Sequence, residues 1–303
     1  MHLPTLRQLQ FLTALADYGS FSRAAEACLV AQPTLSAAIK EIESLIGVSL
    51  VERSGRESRL TSAGEVAVER ARRILASAEE LVIDAKGAGS PLTGLFRLGA
   101  IPTIAPFILP DTLKLLQSDY PDLKLYLREE KTAFLLDALR ARTLDAAIIA
   151  LPWQIRGIET LSIAADPFLL ACPKGHRLGR STTINPDSMT GENVLLLEEG
   201  HCMRGHALSV CALPGIERKD DLAATSLQTM VQMVSGGLGI SLVPNLAVQS
   251  GLTTGIGVTT IPFSKDAPSR EIAVAWRSGS SREAEARLIG DILKRVLEPL
   301  SAS

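Results

Sequence analysis

Ser20-Phe21-Ser22-Arg23-Ala24-Ala25-Glu26-Ala27-Cys28-Leu29-Val30-Ala31-Gln32-Pro33-Thr34-Leu35-Ser36-Ala37-Ala38-Ile39-Lys40-Glu41-Ile42-Glu43 decides how the amino-terminal part of this chain folds. Ser20–Cys28 reads as a short helix with Ser20 or Ser22 as its cap. Leu29–Gln32 is a connector, and Pro33 opens a second helix at a position where its missing N–H does no harm. Leu35, Ile39, Ile42 and Ile46 recur at helical spacing and face inward, leaving Gln32, Thr34, Ser36, Ala37 and Lys40 outward. Two short helices, the second polar at its start, make a helix-turn-helix, whose second helix enters a major groove N-terminus first.

The flanks extend this unit. Thr5–Tyr18 carries Leu6, Leu9, Phe11, Leu12 and Leu15 on one face, and Gly19 ends it. After Gly47, Leu50–Arg53 and Arg59–Thr61 can pair as a two-stranded wing around Ser54-Gly55-Arg56. Lys40, Arg53, Arg56 and Arg59 form a cationic set fit for phosphates, which fix position but carry no sequence information. A solvated charged loop is the plainer alternative. Thr61 to about Ala88 reads as one long helix capped by Thr61 or Ser62. Its stripe of Ala71, Ile74/Leu75, Ala78, Leu81/Val82 and Ala85 has too little chain around it for internal burial, so it should pair with a second subunit.

Composition sets the limits. The chain has 303 residues, 46% hydrophobic and 21% charged, with net charge −2. That is enough for two or three globular domains and gives no global basic footprint, so a nucleic-acid surface must be local. The amino terminus leads into an amphipathic helix carrying Asp17 rather than a signal peptide, and no apolar run approaches ~18 residues. No membrane association is expected. The four cysteines show no disulfide framework and fit a reducing cytosol, so a cytoplasmic location is expected.

From Leu95 the pattern changes to short apolar strands alternating with helices: Phe96–Ala100, Leu123–Leu127, Asp145–Ala150, Phe168–Cys172, Val194–Leu197, Ile240–Val243, Ile256–Thr260 and Ile272–Trp276, with helices near 105–118, 132–142, 226–236 and 282–298. This reads as an α/β parallel-sheet region in two lobes. Ligands lodge at the carboxyl ends of strands in such sheets. Ala100-Ile101-Pro102-Thr103 and Glu130-Lys131-Thr132 occupy such ends, and Ala224-Thr225-Ser226-Leu227 supplies a capped helix N-terminus facing the cleft. Ordinary helix capping would also explain Thr103 and Thr132.

Glu198-Glu199-Gly200-His201-Cys202-Met203-Arg204-Gly205-His206-Ala207-Leu208-Ser209-Val210-Cys211 places two cysteines nine positions apart. On one helix they would lie on opposite faces, roughly 13.5 Å apart along the axis. A disulfide needs Cα atoms about 4.4–6.8 Å apart. The bond therefore requires unwinding, as a redox switch would. A first-turn position beside Arg204 and His201 favours the thiolate of Cys202. Two other readings stand beside this one. Both cysteines are small core hydrophobes, or Cys202 and His206, with His201 and Cys211 nearby, bind a metal at looser spacing than zinc sites usually show.

Residues 4–65 resemble the winged helix-turn-helix of LysR-type transcriptional regulators. The resemblance rests on Ala24-Ala25, Gln32-Pro33-Thr34-Leu35-Ser36, Ile39-Lys40, Ile42-Glu43, Gly47, Leu50-Val51-Glu52-Arg53 and Leu60-Thr61-Ser62-Ala63-Gly64. It implies contacts to double-stranded promoter DNA from Gln32, Pro33, Thr34, Ser36 and Lys40, with Arg53 supporting the wing. By it, residues 1–60 are the DNA-binding domain, 61–90 a dimerisation helix and hinge, and 91–303 an effector domain. That domain is implied to be a periplasmic-binding-protein-like pair of subdomains, 92–163 with 267–303, and 164–266.

Within that family, Gly99–Pro106, Leu196–Arg204 with Cys211, and Ala224–Leu227 resemble the peroxide-sensing OxyR branch. The resemblance implies that Cys202 is oxidised by hydrogen peroxide to a sulfenic acid and that Cys211 resolves it to a disulfide. It places Thr103, Thr132, His201 and Arg270 around the peroxide, and implies no cofactor and no metal. It further implies a homodimer assembling to a homotetramer, contact with RNA polymerase, and reduction by a cytosolic thiol reductant. Gly205 stands where some relatives carry Asp, so proton handling by a carboxylate there is not implied. A glycine also weakens a helix by up to ~1 kcal/mol, which eases unwinding. Moving a two-state segment from 1:99 to 99:1 takes about 5.5 kcal/mol, or ~120 mV for a two-electron couple. Three rivals remain at this stage: a LysR-type regulator of a small cleft ligand with inert cysteines, a metal sensor, and a thiol peroxidase. The last gives residues 1–65 no role.

Overall fold

The computed structural model describes residues 3–54, 57–85, 91–200, 203, 217–264 and 267–301; for 53, 54, 57, 79, 80, 83–85, 217–222 and 299–301 it describes the backbone alone. The chain divides into two compact units, the second beginning at Ser90.

The first unit opens with α1 (Leu6–Tyr18), α2 (Phe21–Ala27) and α3 (Gln32–Ile46). Thr5 and Gln8 close a reciprocal capping box at the start of α1, satisfying two donors the helix cannot pair internally. Gly19 ends α1 at φ 61°, where a Cβ would be strained. Leu12, Leu15, Leu35, Ile39 and Ile42 are buried together, so the helical spacing of the two sequence faces is realised as one core. Leu6 and Ile46, expected to face inward, are exposed instead because each sits at a helix end beyond that core. The wing follows as β1 (Val51–Ser54) and β2 (Glu57–Leu60), antiparallel, with Val51 opposite Leu60. Its start is held by Glu43, whose carboxylate accepts the backbone N–H groups of Leu50 at 2.8 Å and Val51 at 3.1 Å.

The long helix α4 (Ser62–Ala85) is capped by Thr61, whose hydroxyl accepts the Gly64 N–H at 3.0 Å and donates to the Ser49 carbonyl. Its stripe divides. Val68 joins the core of the same unit and Ala71 is also buried, while Val66, Ile74, Leu81 and Val82 are exposed. Ala71 thus belongs to the domain interior rather than to the expected subunit seam.

The second unit contains β3 (Gly94–Ala100), α5 (Ala105–Asp119), β4 (Leu123–Glu129), α6 (Thr132–Arg140), β5 (Ala146–Leu151), β6 (Ile158–Pro173), β7 (Asn193–Leu197), β8 (Glu217–Ala224), α7 (Leu227–Ser235), β9 (Ser241–Pro244), α8 (Asn245–Gln249), β10 (Val258–Pro262), β11 (Ser269–Arg277) and α9 (Glu283–Ser301). Seven strands form one sheet in the order β10-β6-β11-β5-β3-β4, with β9 also paired to β6, and β7–β8 form a separate parallel pair. The expected parallel sheet is in fact mixed. β3 pairs parallel with β4 and β5, but β11 runs antiparallel to both β5 and β6. Strand direction is not encoded in an apolar run, so periodicity could not reveal it.

One strand joins two cores. The first part of β6, Ile158–Pro167, pairs with β11, and Phe168–Pro173 pairs with β9 and β10. Phe96, Ile148, Trp276 and Leu293 belong to one core, and Phe168, Leu196, Met230 and Val243 to the other. Phe107 packs against both.

The glycine in Thr61-Ser62-Ala63-Gly64 has a packing reason. A Cβ there would lie 2.0 Å from the Leu50 carbonyl oxygen, which is backbone and cannot yield easily. Gly64→Ala should therefore destabilise the first unit by about 1–3 kcal/mol, the usual range for overpacking. Urea denaturation read on that unit checks this, and an unchanged midpoint would refute the packing account.

Candidate functional site

Two separate surfaces carry the candidate residues. On the first unit, α3 begins at Gln32 with Ala31 as a cap that offers no side-chain acceptor. Its first-turn N–H groups are thus left without a side-chain cap, and a helix start of this kind suits a phosphate oxygen. Of the residues expected to face outward, Gln32, Thr34, Ala37 and Lys40 are exposed and Ser36 is half-buried, and Pro33 is exposed beside them. Ser22 donates to the Gln32 carboxamide oxygen at 3.4 Å, linking the second and third helices at this face. Arg53 lies on β1 opposite Ser58; its side chain and all of Arg56 fall outside the described residues.

On the second unit, the carboxyl ends of β3 and β4 are level, because Ala100 is in register with Glu129 and the Glu130 N–H reaches the Ala100 carbonyl. Thr103 and Thr132 therefore stand at equivalent places, each three residues past its strand. Both are buried. Neither caps a helix. α5 starts after Ile104, and the Thr132 hydroxyl has no hydrogen-bond partner among the described residues. Leaving such a group unpaired costs about 1–3 kcal/mol.

The Thr103 hydroxyl is occupied. It accepts Nη1–H of Arg270 at 2.7 Å, and the Thr103 carbonyl accepts Nη2–H at 2.9 Å. Arg270 also donates Nε–H to Asp166 Oδ2 at 2.9 Å. The other carboxylate oxygen of Asp166 accepts the Leu246 N–H, at the start of α8, also at 2.9 Å. Arg270 and Asp166 face each other across β11 and β6, and their side chains are 0% and 4% exposed. The guanidinium is therefore a fixed buried cation, matched by one carboxylate.

The opposite wall comes from β7 and β8, whose carboxyl ends are also level, with the Glu198 N–H bonded to the Ala224 carbonyl. Ser226 caps α7 by accepting the Thr229 N–H. Between the walls, Lys131 Nζ donates to the Glu199 carbonyl at 2.9 Å. Lys131 precedes Thr132, so residues 198–200 sit next to the start of α6. Gly200 has φ 88°, and a Cβ on it would meet the Lys131 stem at 3.0 Å. His201, Cys202 and Cys211, with Arg204, Gly205 and His206, lie outside the described residues. Met203 is described and is buried in the core that contains Met230.

Sequence reasoning missed Asp166, and it named Lys131 only as part of the strand-end segment Glu130-Lys131-Thr132, with no role assigned. Asp166 closes an otherwise apolar strand segment, Ile163-Ala164-Ala165, where a buried carboxylate signals a partner cation. Lys131 gave no signal of its own. The other two cysteines are placed: Cys28 is half-buried in the first unit, and Cys172 is fully buried in β6. Burial pushes the Cys172 thiol pKa up, and Glu192 adds to the shift. Cys172 therefore stays protonated and unreactive.

A winged helix-turn-helix joined to a two-lobed α/β domain, with buried polar groups at strand ends, defines a ligand- or signal-responsive DNA-binding regulator. Residues 6–65 match the bacterial regulatory helix-turn-helix protein, lysR family, and residues 89–298 match the LysR substrate binding domain. The chain belongs to the LysR family of transcription regulators, and within it to the OxyR type. It is 40% identical over 301 residues to the probable hydrogen peroxide-inducible genes activator of Streptomyces viridosporus, covering 98% of this chain and 96% of that one. It is 39% identical to the HTH-type transcriptional regulator EstR of Acinetobacter baylyi, covering 98% and 99%. Among solved structures, a full-length OxyR variant from Pseudomonas aeruginosa, with one cysteine replaced by aspartate, superposes with TM-score 0.77 at 34% identity, covering 96% of this chain and 98% of that one. No helix among the described residues is long and apolar enough to cross a membrane.

The Asp166–Arg270–Thr103 cluster yields a stability test. Arg270→Met keeps most of the volume but leaves Asp166 buried without its cation. Truncating one partner of a buried pair costs about 3–5 kcal/mol, and that loss should appear in chemical denaturation of the reduced protein. A loss below about 1 kcal/mol, the range of an exposed pair, would mean that the pair is not structural.

Proposed function

We propose that this chain is a cytoplasmic, hydrogen-peroxide-responsive transcription regulator in which Cys202 is the sensing thiol and Cys211 the resolving one. The observation that carries the reading is the Lys131–Glu199 contact. It tethers the chain entering the Cys202 segment beside Thr132, at strand ends where Thr103 and Arg270 also lie.

In this reading the Cys202 thiolate attacks one peroxide oxygen. The O–O bond breaks, the second oxygen leaves as hydroxide and is protonated to water, and a sulfenic acid remains. A cation and hydroxyl donors near the leaving oxygen stabilise the charge that develops there. Thr132 has a hydroxyl without a partner among the described residues for this role, Thr103 and Arg270 form a pre-set polar cluster, and His201 adjoins Cys202 in sequence. Cys211, as thiolate, then attacks the sulfenic sulfur, the S–O bond breaks, the oxygen leaves as hydroxide and is protonated to water, and the disulfide forms. A dithiol reductant reverses it by thiol–disulfide exchange. No turnover of product is needed, so the chain works as a switch and not as an enzyme.

The output lies in the first unit. Gln32, Pro33, Thr34, Ser36 and Lys40 at the start of α3 would read promoter DNA, and Arg53 would support the wing on its backbone. The exposed Ile74, Leu81 and Val82 on α4 suit a homodimer seam, with pairs of dimers forming a tetramer. We divide the effector region into subdomains 92–163 with 267–303, and 164–266. Disulfide formation would refold the 200–222 segment and shift contacts between effector domains, altering promoter and polymerase contacts.

A second reading has its own support. The similarity to EstR, whose name carries no peroxide, and the α7 N-terminus at the strand ends both fit a small cleft ligand with inert cysteines.

Stoichiometric peroxide followed by thiol counting separates the two. Of the four cysteines, two should be lost, and both should map to one disulfide-linked peptide containing Cys202 and Cys211. Cys202→Ser should still bind promoter DNA yet give a footprint unaltered by peroxide. A peroxide-dependent footprint in that variant, or survival of every thiol in the parent, would remove the redox assignment.

A further inference from the structure

We infer that Lys131 is a positioning residue of the switch: its ammonium clasps the Glu199 carbonyl and holds the entrance of the cysteine segment in the reduced arrangement. The inference rests on the peroxide reading above and adds a residue outside the expected pocket of Thr103, Thr132, His201 and Arg270.

Three observations meet here. Lys131 Nζ lies 2.9 Å from the Glu199 carbonyl, a bond between a charged donor and a backbone acceptor. The Glu198 carboxylate is at 4.0 Å, with both side chains partly exposed, so that ion pair is a minor contributor. Gly200 adopts φ 88° against the lysine stem, where a Cβ would approach Cδ to 3.0 Å. The clasp spans two cores. Lys131 immediately precedes α6, whose Leu135 and Leu136 belong to the core of β3 and β5, whereas Glu199 follows β7, whose Leu196 and Leu197 belong to the other.

The position in the chain gives the clasp its role. Three peptide units separate the Glu199 carbonyl from Cys202. Joining Cys202 to Cys211 would draw on the chain that follows Glu199, and a carbonyl held by Lys131 would resist that pull. The clasp therefore stabilises the dithiol form selectively. Removing it shifts the dithiol–disulfide equilibrium toward the disulfide, and the protein responds to less oxidant.

The test is a redox titration of the full-length protein against dithiothreitol buffers of defined ratio, with the disulfide fraction read by thiol labelling. Lys131→Met keeps the stem and deletes the donor. At the buffer that holds the parent half-oxidised, its disulfide-to-dithiol ratio should rise about three- to tenfold, the net worth of an ordinary hydrogen bond, because solvent screens the partly exposed ammonium. Lys131→Arg, which retains donors, should return to within about twofold of the parent. Glu198→Gln should change the ratio less than about twofold, because its contact is longer and screened. An unchanged ratio in Lys131→Met, or a shift in Glu198→Gln equal to that of Lys131→Met, would overturn the clasp while leaving the peroxide reading standing. A parent that forms no Cys202–Cys211 disulfide in any buffer would instead overturn that reading.

Discussion

The buried pairing of Arg270 with Asp166 is the constraint around which the second unit is built. Two charges taken out of water are costly, and their attraction offsets that cost only if other polar atoms complete both groups. Here they do. Thr103 supplies a hydroxyl and a carbonyl to the guanidinium, and the Leu246 N–H takes the remaining carboxylate oxygen. The pair sits on β6 and β11, and β6 is the strand that passes from one core into the other. Its bonds tie together β11, the loop after β3 and the start of α8. A cluster so completely paired holds those three elements in one arrangement.

The DNA-facing unit follows the same logic by different means. Glu43 turns its carboxylate to two wing N–H groups, Thr61 bonds both the Gly64 N–H and the Ser49 carbonyl, and Gly64 brings α4 onto the Leu50 carbonyl. The wing is therefore fixed to α3 and α4 through backbone contacts that do not depend on the residues facing DNA. Gln32, Thr34 and Lys40, the residues proposed to read sequence, are exposed and take no part in those contacts. Rigid support beneath an adaptable polar face is what readout in a major groove requires.

Much of this was legible in advance. Leu35, Ile39 and Ile42 gave the core face of α3 by spacing, Gly19 and Thr61 marked helix ends, and the strand runs Phe96–Ala100 and Ile272–Trp276 fell inside observed strands. What escaped was non-local. The first half of β6 alternates weakly and is only partly buried, so its apolar pattern is faint. β8 begins Glu217-Arg218-Lys219-Asp220-Asp221, which no hydrophobic pattern would mark as a strand. The antiparallel setting of β11 and the inward placement of Ala71 depend on which neighbours arrive, which local sequence does not encode. At the site, Thr103 was found by its place after a strand. Asp166 and Lys131 act through partners far away in the chain, Arg270 and Glu199, so only the fold could bring them forward.

The proposed function requires that the sulfurs of Cys202 and Cys211 start apart and join only after the backbone between them turns. The most direct measurement is the Cα–Cα separation of Cys202 and Cys211 in crystals of the fully reduced protein. The account predicts a separation well outside the about 4.4–6.8 Å that a disulfide spans. Two cysteines already within that range would mean that oxidation needs no rearrangement, and the bond could carry no signal to the DNA-binding unit.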